Sequence, residues 1–460
     1  MKAVSAYSRN RGVTDEASKM LVDVAAAAKS KELLAAIMKE SPLGSKGGLT
    51  LDPHKGEGQD LEDMAGILKK AANGEIPAGC ALRWFRRGDD LGDKNDACVK
   101  RGRIPLPLPD PCVWTTSLDR PGFVHLGVYL VDAKGAKIKN ARGKTLEFEG
   151  GAGAEADRLE GAGEPADFDS FWAERKARLK SVPMIVDRRE ILSKDSGVKI
   201  YAVSVRCAGA RPMTGYLTIP AAASETNRYP AECRYDGYSG DMVDRPPTGG
   251  PKNRICLHIN AHGWELGREK EYYAEFYDSI KSGGREYAQD PAANKKTRTA
   301  YFLGMTYRVM RSVEYVKSLP EWDGKRLRVT GGSQGGLQAL WAAALVPGVT
   351  FAMPKVPWCC DLGSRSRYGR IGGWRPNYSE AMAYFDPVNL ARRIPLTCRV
   401  LVTCGLGDYV CPPSGMCVLY NNMKCPKKIV WNQGQRHGGP PFPRIQEFSF
   451  QSDDFKDGEW

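Results

Sequence analysis

Apolar positions in the second half of the chain follow two spacings, one typical of helices and one typical of strands. Between Thr299 and Leu319 they recur every three or four residues and so form one face of a helix, which Pro320 ends: Phe302, Met305, Val309, Val313 and Val316. Shorter apolar runs predict strands at 199–207, 215–219, 255–263, 400–408 and 429–437, and a second helix over 167–182. This succession predicts an α/β fold for residues 165–460, with a largely parallel sheet covered by helices.

The first 160 residues show a different pattern. Apolar residues at helical spacing within 16–40 and 61–72 predict an N-terminal helical segment over residues 1–75. Short alternating runs with frequent turn signals then predict a small all-β sandwich-like accessory domain over residues 76–160. We expect its core to be aromatic and to contain Trp84, Phe85, Trp114, Phe123 and Tyr129. A glycine- and acid-rich linker follows, with the domain boundary near Glu164.

The strongest local signal is the segment RLRVTGGSQGGLQAL, from Arg326 to Leu340. A strand pattern leads into a glycine turn with Ser333 at its apex, and a helix-forming run follows. Gly331 and Gly335 remove side chains that would collide at such a tight turn. This arrangement is typical of a nucleophile elbow, which exposes a serine hydroxyl at the carboxyl edge of a sheet. Because glycine-rich turns also occur by chance, the interpretation depends on partners elsewhere in the chain.

Two later strands end in the residues that such a serine requires. The strand over 400–408 ends at Asp408, and a polar loop carrying His437 follows the next strand. The chain order Ser333, Asp408, His437 is the order expected for α/β-hydrolases. Asp361 and Asp386 are alternative acids, but the position of Asp408 at a strand end favours it.

Charge and cysteine content narrow the class of protein. The net charge is +13, but the basic residues are scattered and form no nucleic-acid-binding pattern. We find no apolar run long enough to cross a membrane and no signal peptide, so we expect a cytoplasmic protein. The thirteen cysteines include an adjacent pair, which argues against a disulfide framework. Cysteines and histidines show no zinc spacing, and we predict neither a metal nor a dissociable cofactor.

With these residues in place, the region from about Asp167 onward resembles the acetyl xylan esterase and cephalosporin C deacetylase family, carbohydrate esterase family 7. The resemblance depends on a series of segments in the same order: DFDSFW, HGW, the helix and turn YRVMRSVEYVKSLPEWDGKRLRVTGGSQGG, YFDPVNLARRI, GLGDYVCPPSG and the terminal histidine loop. GGSQGG combined with GLGD and CPPS is far more specific than the serine motif alone.

The resemblance implies deacetylation of small acetylated sugars, including xylo-oligosaccharides, by a metal-free serine mechanism. It makes Ser333 the nucleophile, His437 the general base and then acid, and Asp408 the residue that orients the imidazole. The backbone N–H groups of Gln334 and Trp264 would bind the oxyanion. The family usually has tyrosine after His-Gly, so Trp264 is a departure that would reshape the acyl pocket and contact substrate. Family members commonly form ring-like hexamers, so a homo-oligomer is also expected unless the N-terminal domain blocks it.

Other interpretations stay open at this point. The arginine-rich segment GSRSRYGRIGGWR suggests that Arg365 and Arg367 bind an acidic substrate, although such a run is more often a solvated loop or a subunit contact. A serine hydrolase of this kind could instead cleave a glucuronoyl or feruloyl ester or a peptide bond. The accessory domain suggests a third hypothesis, a glycan-binding module with a secondary hydrolase domain.

Overall fold

The structure is a computed structural model that describes residues 19–23, 79–90, 100–106, 113–139, 143, 145–239, 244–437 and 446–458. Its first six strands are β1 Lys19–Asp23, β2 Ala81–Gly88, β3 Lys100–Pro105, β4 Val113–Ser117, β5 Gly122–Val131 and β6 Glu147–Ala154. Four of them form an antiparallel sheet in the order β3-β2-β5-β6, and β1 pairs with β4 in a separate antiparallel ribbon. We call the four-stranded sheet the accessory sheet.

The buried core of the accessory sheet is aliphatic, and of the aromatic residues that the sequence suggested for it Trp84 packs against it. Its buried side chains are Leu82, Leu126, Val128, Leu130 and Leu146. Trp84, Phe85 and Tyr129 are only half-buried. The rings of Trp84 and Phe85 lie over glycines of the neighbouring strands: a Cβ added to Gly102 or Gly127 would come within 2.5 or 2.0 Å of them. These two aromatic side chains therefore cover glycines across the sheet.

Two other expectations for the N-terminal region have separate outcomes. Phe123 is buried, but its ring lies 5.5 Å from that of Trp431 in the main core of the molecule. The side chain of Trp114 lies outside the described residues. So does the helical segment predicted over residues 1–75, except for β1. There the helix prediction was wrong, because pairing with β4 fixes an extended backbone.

Ten further strands form one mixed sheet: β7 Val186–Ile191, β8 Val198–Val205, β9 Met213–Pro220, β10 Tyr229–Tyr235, β11 Ile255–Ile259, β12 Trp322–Gly332, β13 Phe351–Lys355, β14 Arg399–Gly405, β15 Lys427–Gln433 and β16 Gln446–Gln451. Their order is β16-β15-β14-β13-β12-β10-β11-β9-β8-β7. The six central strands, from β15 to β11, run parallel. Their carboxyl ends therefore meet at one edge of the sheet, where open α/β sheets place their ligands.

The described helices are α1 Phe168–Lys180, α2 Lys270–Ser279, α3 Tyr301–Lys317, α4 Gln334–Leu345, α5 Ser364–Tyr368, α6 Pro387–Ala391 and α7 Pro413–Asn422. Helix α3 buries the apolar stripe that the sequence predicted, and α4 is buried along its whole length. Each fully buried Val, Met or Phe of α3 contributes about 1.5–3 kcal/mol through removal from water. Among the described residues, no helix is both long and apolar enough to cross a membrane.

The glycine-rich stretch that the sequence assigned to a linker is part of the packed structure. Its first residues belong to β6, and the following chain contacts the α/β region. Arg370 donates to the carbonyl of Glu160 at 2.7 Å, and Arg393 forms an ion pair with Glu164 at 2.5 Å. Asn421 donates to the carbonyl of Leu159 at 3.0 Å. The chain between β6 and α1 therefore lies against the α/β region.

Candidate active site

Ser333 occupies the sharp turn between β12 and α4. Its backbone has φ 54° and ψ −118°, a conformation that a non-glycine residue adopts only when its surroundings enforce it. The Ser333 N–H donates to the carbonyl of Lys355 at 2.9 Å, and its carbonyl accepts from the N–H of Trp358 at 3.0 Å. These two bonds from the chain after β13 hold the strained turn. The result is the nucleophile elbow predicted from the sequence.

The glycines around Ser333 are required by the close approach of β10. A Cβ on Gly335 would lie 2.2 Å from the carbonyl oxygen of Tyr235, and one on Gly331 would lie 2.6 Å from the same atom. Real Cβ atoms essentially never come that close. Backbone contact between β10, β12 and α4 therefore depends on the absence of both side chains.

The structure brings Ser333, His437 and Asp408 together in one hydrogen-bonded chain. His437 Nε2 lies 3.1 Å from Ser333 Oγ, and His437 Nδ1 lies 2.8 Å from Asp408 Oδ2. Asp408 is buried, and its Oδ1 accepts the N–H groups of Val410 and Cys411 at 3.0 and 2.9 Å. A carboxylate in this position only accepts, so Nδ1 carries the imidazole proton and Nε2 is free to accept the serine proton.

The two alternative acids have other uses. Asp386 Oδ2 accepts the N–H of Leu362 at 2.6 Å, and its Oδ1 accepts those of Asp361 and Val388 at 3.1 and 2.9 Å. Burial raises the pKa of Asp386 to about 7. Asp361 forms a buried ion pair with Arg370 at 3.1 Å. Asp386 therefore holds the backbone after β13, Asp361 holds Arg370 and the N–H of Ala162, and Asp408 is the acid bonded to the histidine.

The structure separates Trp264 from the nucleophile, so the prediction that it supplies the oxyanion donor was wrong. Trp264 follows β11, and β10 lies between β11 and the nucleophile strand β12. Its indole packs 5.5 Å from Tyr273 and 6.1 Å from Phe276, and its carbonyl accepts from Thr214 Oγ1 at 2.8 Å. Burial and the nearby Arg308 lower the pKa of the adjacent His262 well below its usual range. Trp264 and His262 therefore have packing and hydrogen-bonding roles.

The loop in the expected oxyanion position follows β10 and has the sequence Asp236-Gly237-Tyr238. A Cβ on Gly237 would lie 3.5 Å from the carbonyl oxygen of Gly332 and 4.0 Å from the Cβ of Ser333. The tyrosine expected after His-Gly is thus Tyr238. Strand β10 was not predicted, because Glu232 interrupts its apolar pattern; this buried glutamate forms an ion pair with Arg328 of β12. The sequence feature that could have identified this loop is the pair Gly237-Tyr238.

Gln334, the other predicted oxyanion donor, is the first residue of α4 and is buried. Its backbone N–H belongs to the first turn of the helix, where N–H groups have no acceptor within the helix. The helix dipole also places partial positive charge there. Gln334 Oε1 accepts from the hydroxyl of Tyr287 at 3.0 Å. Tyr287 is itself fully buried.

Three aromatic side chains line the approach to Ser333. Trp358 and Trp374 stack with centroids 5.2 Å apart, and Tyr238 contacts their edges at 5.3 and 4.7 Å. Trp358 is buried, whereas Trp374 keeps 44% of its surface exposed. Trp374 N–H donates to the carbonyl of Val410 at 3.1 Å. A partly exposed indole is therefore fixed against Trp358, whose backbone N–H bonds to the carbonyl of Ser333.

The arginines predicted to bind substrate lie on α5. Arg367 donates to the carbonyl of Ala162 at 2.8 Å, so it holds the chain between the accessory sheet and α1. The neighbouring Arg370 is buried and bonds the same stretch through Glu160. Arg365 is exposed on the same short helix. For Arg367 the contacts thus indicate a structural role in place of the predicted substrate contact.

A metal would compete with this arrangement. In the part of the chain that the structure describes, the candidate ligand group is Asp408, Cys411 and His437, whose ligand atoms lie within 4.8 Å of one another. Two of the three are already joined by the 2.8 Å hydrogen bond. Burial raises the pKa of the Cys411 thiol well above its usual range, so the thiolate that a metal prefers is disfavoured. The donor set fits proton transfer better than metal binding.

A parallel sheet with a strained serine between strand and helix, and an acid and a histidine from later strand ends, defines the α/β-hydrolase class with a Ser-His-Asp triad. Comparison with known proteins is more specific. The acetyl xylan esterase (AXE1) family matches residues 159–454, and the chain belongs to this family.

One curated relative is similar in sequence, and two solved structures share the fold. The chain is 30% identical over 281 residues to the acetyl esterase Axe7A of Xylanibacter ruminicola, which covers 58% of this chain and 62% of that protein. The acetyl xylan esterase from Paenibacillus sp. R4 has a similar fold, with TM-score 0.51 and 23% identity over 63% of this chain and 95% of its own. Acetyl xylan esterase 1 from Thermoanaerobacterium sp. JW/SL YS485 gives TM-score 0.50 and 20% identity, over 62% and 93%.

Proposed function

We propose that this protein is a serine esterase that removes acetyl groups from acetylated carbohydrates such as xylo-oligosaccharides. The observation that carries the proposal is the hydrogen-bonded chain from Ser333 Oγ through His437 to Asp408. Membership of the acetyl xylan esterase family supports the acetyl group and the sugar. The curated relative is matched over 62% of its length, so its activity enters here as support for a proposal.

The geometry assigns a role to each group in the reaction. Ser333 Oγ attacks the acetyl carbonyl carbon while His437 Nε2 takes the hydroxyl proton, and Asp408 stabilises the resulting imidazolium. The negative oxygen of the tetrahedral intermediate accepts the N–H of Gln334 and, on the other side, that of Tyr238. His437 then gives the proton to the sugar oxygen, which leaves as a hydroxyl. Water attacks the acetyl-serine with His437 again as base, and acetate leaves.

We assign carbohydrate recognition to the exposed indole of Trp374. A pyranose ring presents a face of C–H groups that packs well on an indole. Trp374 keeps 44% of its surface exposed and is held in place by Trp358 beneath it. This assignment replaces the substrate contacts predicted for Trp264 and Arg367. The same aromatic wall also suits an aromatic acyl group, which keeps a feruloyl ester as the second candidate substrate.

The remaining expectations stay proposals. For residues 76–160 we propose a sandwich-like accessory domain, supported by the accessory sheet and the β1–β4 ribbon beside it. Assembly into a homo-oligomer and a cytoplasmic location stay predictions.

The test is acetate release from acetylated xylo-oligosaccharides by the full chain, with Ser333→Ala and a feruloyl ester run in parallel. We expect acetate with the native protein, a loss of at least about 10³-fold in Ser333→Ala, and slow turnover of the bulky ester. Retained activity in Ser333→Ala contradicts the mechanism. Faster cleavage of the feruloyl ester keeps the mechanism and replaces the substrate.

A further inference from the structure

The accessory sheet contacts both loops that carry the acid and the histidine. The ring of His125, on β5, stacks on Tyr409 with centroids 3.8 Å apart and planes 11° apart. Tyr409 directly follows Asp408 in the chain. On the neighbouring strand β6, Glu149 lies 3.7 Å from the guanidinium of Arg436, which directly precedes His437. One pair of strands therefore reaches the residue next to each of two triad members.

Hydrogen bonds fix the orientation of the His125 ring. Arg87 Nε donates to His125 Nδ1 at 2.9 Å, and because an arginine only donates, Nδ1 must be the accepting nitrogen. Nε2 then carries the proton and donates it to Glu149 Oε2 at 2.9 Å. His125 is fully buried, and this burial lowers its pKa, so the ring stays neutral. The imidazole is held at both nitrogens and presents a fixed face to Tyr409.

Backbone contacts bring the same two strands close to the loops. A Cβ on Gly407 would lie 2.2 Å from the carbonyl oxygen of Glu149, so the loop before Asp408 lies directly against β6. Gly151 N–H donates to Gln433 Oε1 at 3.0 Å, and Gln433 Nε2 donates back to the Gly151 carbonyl at 2.9 Å. These bonds attach the end of β15, just before the histidine loop, to the same part of β6.

The tyrosine contributes its ring and not its hydroxyl. Within the described residues, the Tyr409 hydroxyl is buried and has no hydrogen-bond partner. The guanidinium of Arg87 lies 5.1 Å from the centroid of the Tyr409 ring. Arg87 and His125 therefore both contact this ring. A buried hydroxyl without a partner costs stability, so stacking is the interaction that accounts for the placement of this side chain.

We propose that His125 and Glu149 of the accessory sheet, with Tyr409, are positioning residues that hold Asp408 and His437 at hydrogen-bond distance from each other and from Ser333. The proposal rests on the triad function proposed above. The side chains act through Tyr409 and Arg436, which flank the catalytic pair. In this proposal the accessory sheet positions two of the three triad residues.

The test measures the rate constant at which a fluorophosphonate labels Ser333, followed by mass spectrometry on the full chain, together with kcat and KM on a small aryl acetate. We expect Tyr409→Leu and Glu149→Ala to lower the labelling rate and kcat by about tenfold, with KM within twofold. Tyr409→Phe keeps the stack and Glu149→Gln keeps an acceptor for His125, so both should stay within twofold of the native protein.

A core variant separates positioning from stability. Val128→Ala weakens the accessory sheet away from the loops, and we expect a lower melting temperature with an unchanged labelling rate. Equal slowing in Val128→Ala, native rates in Tyr409→Leu and Glu149→Ala, or slowing in Tyr409→Leu alone would overturn the role of the sheet. So would a Tyr409→Phe variant as slow as Tyr409→Leu. Labelling needs no knowledge of the natural ester, so a failure of the proposed substrate leaves this result readable.

Discussion

The two sides of the triad are held by different means. On the nucleophile side, Ser333 is fixed by its own sheet through backbone bonds to Lys355 and Trp358 and through glycines that admit β10. On the acid–histidine side, Asp408 and His437 lie on loops that contact a second sheet through side chains. The glycines of the first support belong to one short sequence motif around Ser333. The second support is assembled from residues far apart in the chain, which no local motif reveals.

The largest expected effect is on the acid–histidine side. Asp408→Asn keeps the size of the side chain, but an amide cannot accept the two backbone N–H groups and the Nδ1 proton as a carboxylate does. We expect kcat to fall by about 10⁴-fold because the imidazole loses its correct tautomer. Steady-state kinetics with thermal unfolding as a control measure this. Activity within tenfold of the native protein would return the acid role to Asp361 or Asp386.

Gly335→Ala tests the backbone contact that holds the nucleophile side. Its Cβ would lie 2.2 Å from a backbone oxygen of β10, so the strand or the helix must move. We expect a loss of about 3 kcal/mol in the free energy of unfolding and of most esterase activity. Gly332→Ala is the matched control, because its Cβ meets open space. It should change the free energy of unfolding by less than about 0.5 kcal/mol. Equal effects from the two variants would show that the close approach is unimportant.

A pH measurement tests how the accessory sheet is attached. Asp89 accepts the N–H of Phe123 and that of Ile371, so it joins the accessory sheet to the α/β region. Burial raises its pKa from 3.8 to about 6. The native state therefore binds the proton more tightly than the unfolded state, and this stabilising contribution is present below pH 4 and lost as the pH rises through 6.

We expect the native protein to lose about 2–3 kcal/mol relative to Asp89→Asn between pH 4 and pH 7. The difference between the two free energies of unfolding, measured by denaturant titration at several pH values, gives the slope. The variant also loses one backbone acceptor, which lowers its stability by an amount independent of pH. A flat difference across this range would contradict the raised pKa of the buried Asp89 carboxyl.

The smallest expected effect concerns the residue that joins the two sides. Trp374 stacks on Trp358, whose backbone bonds to Ser333, and its backbone N–H donates to the carbonyl of Val410, near Asp408. We expect Trp374→Ala to raise KM for acetylated xylo-oligosaccharides about fivefold, from a loss of about 1 kcal/mol of aromatic contact. KM for a small aryl acetate should change less. Leu396→Ala is the control, since this exposed leucine precedes β14 at the opposite edge of the sheet. An equal change for both esters would contradict sugar recognition.

The sequence predicted the nucleophile side well. Short continuous segments contain the features that matter there: the apolar stripe of α3, the strand before Ser333 and the glycines around it. It also predicted Asp408 and His437, because strand ends followed by polar loops are local features. The loop after β10, proposed to bind the oxyanion, escaped prediction because Glu232, buried in an ion pair with Arg328, makes β10 look too polar for a central strand.

The supports of the acid–histidine side were not predictable in the same way. His125 is an ordinary strand residue in the sequence, and only the fold places it on Tyr409. The glycine-rich stretch before α1 has the composition of a flexible linker, yet Arg370 and Arg393 hold it through contacts more than 200 residues away in sequence. Composition predicts the conformation of an isolated segment, whereas this stretch is ordered by contacts with distant residues.

The contact between Gly151 and Gln433 has a consequence for how the protein is made. The two residues are 282 positions apart, so the accessory sheet leaves the ribosome long before the loops that it contacts. Translation at about 5–20 residues per second puts tens of seconds or less between them. The turn that carries Ser333 is held by Lys355 and Trp358, so its own partners are synthesised only in the later part of that interval and before His437. The hydrogen-bonded chain from Ser333 to Asp408 can therefore form only after His437 has been synthesised, later than every residue of the accessory sheet.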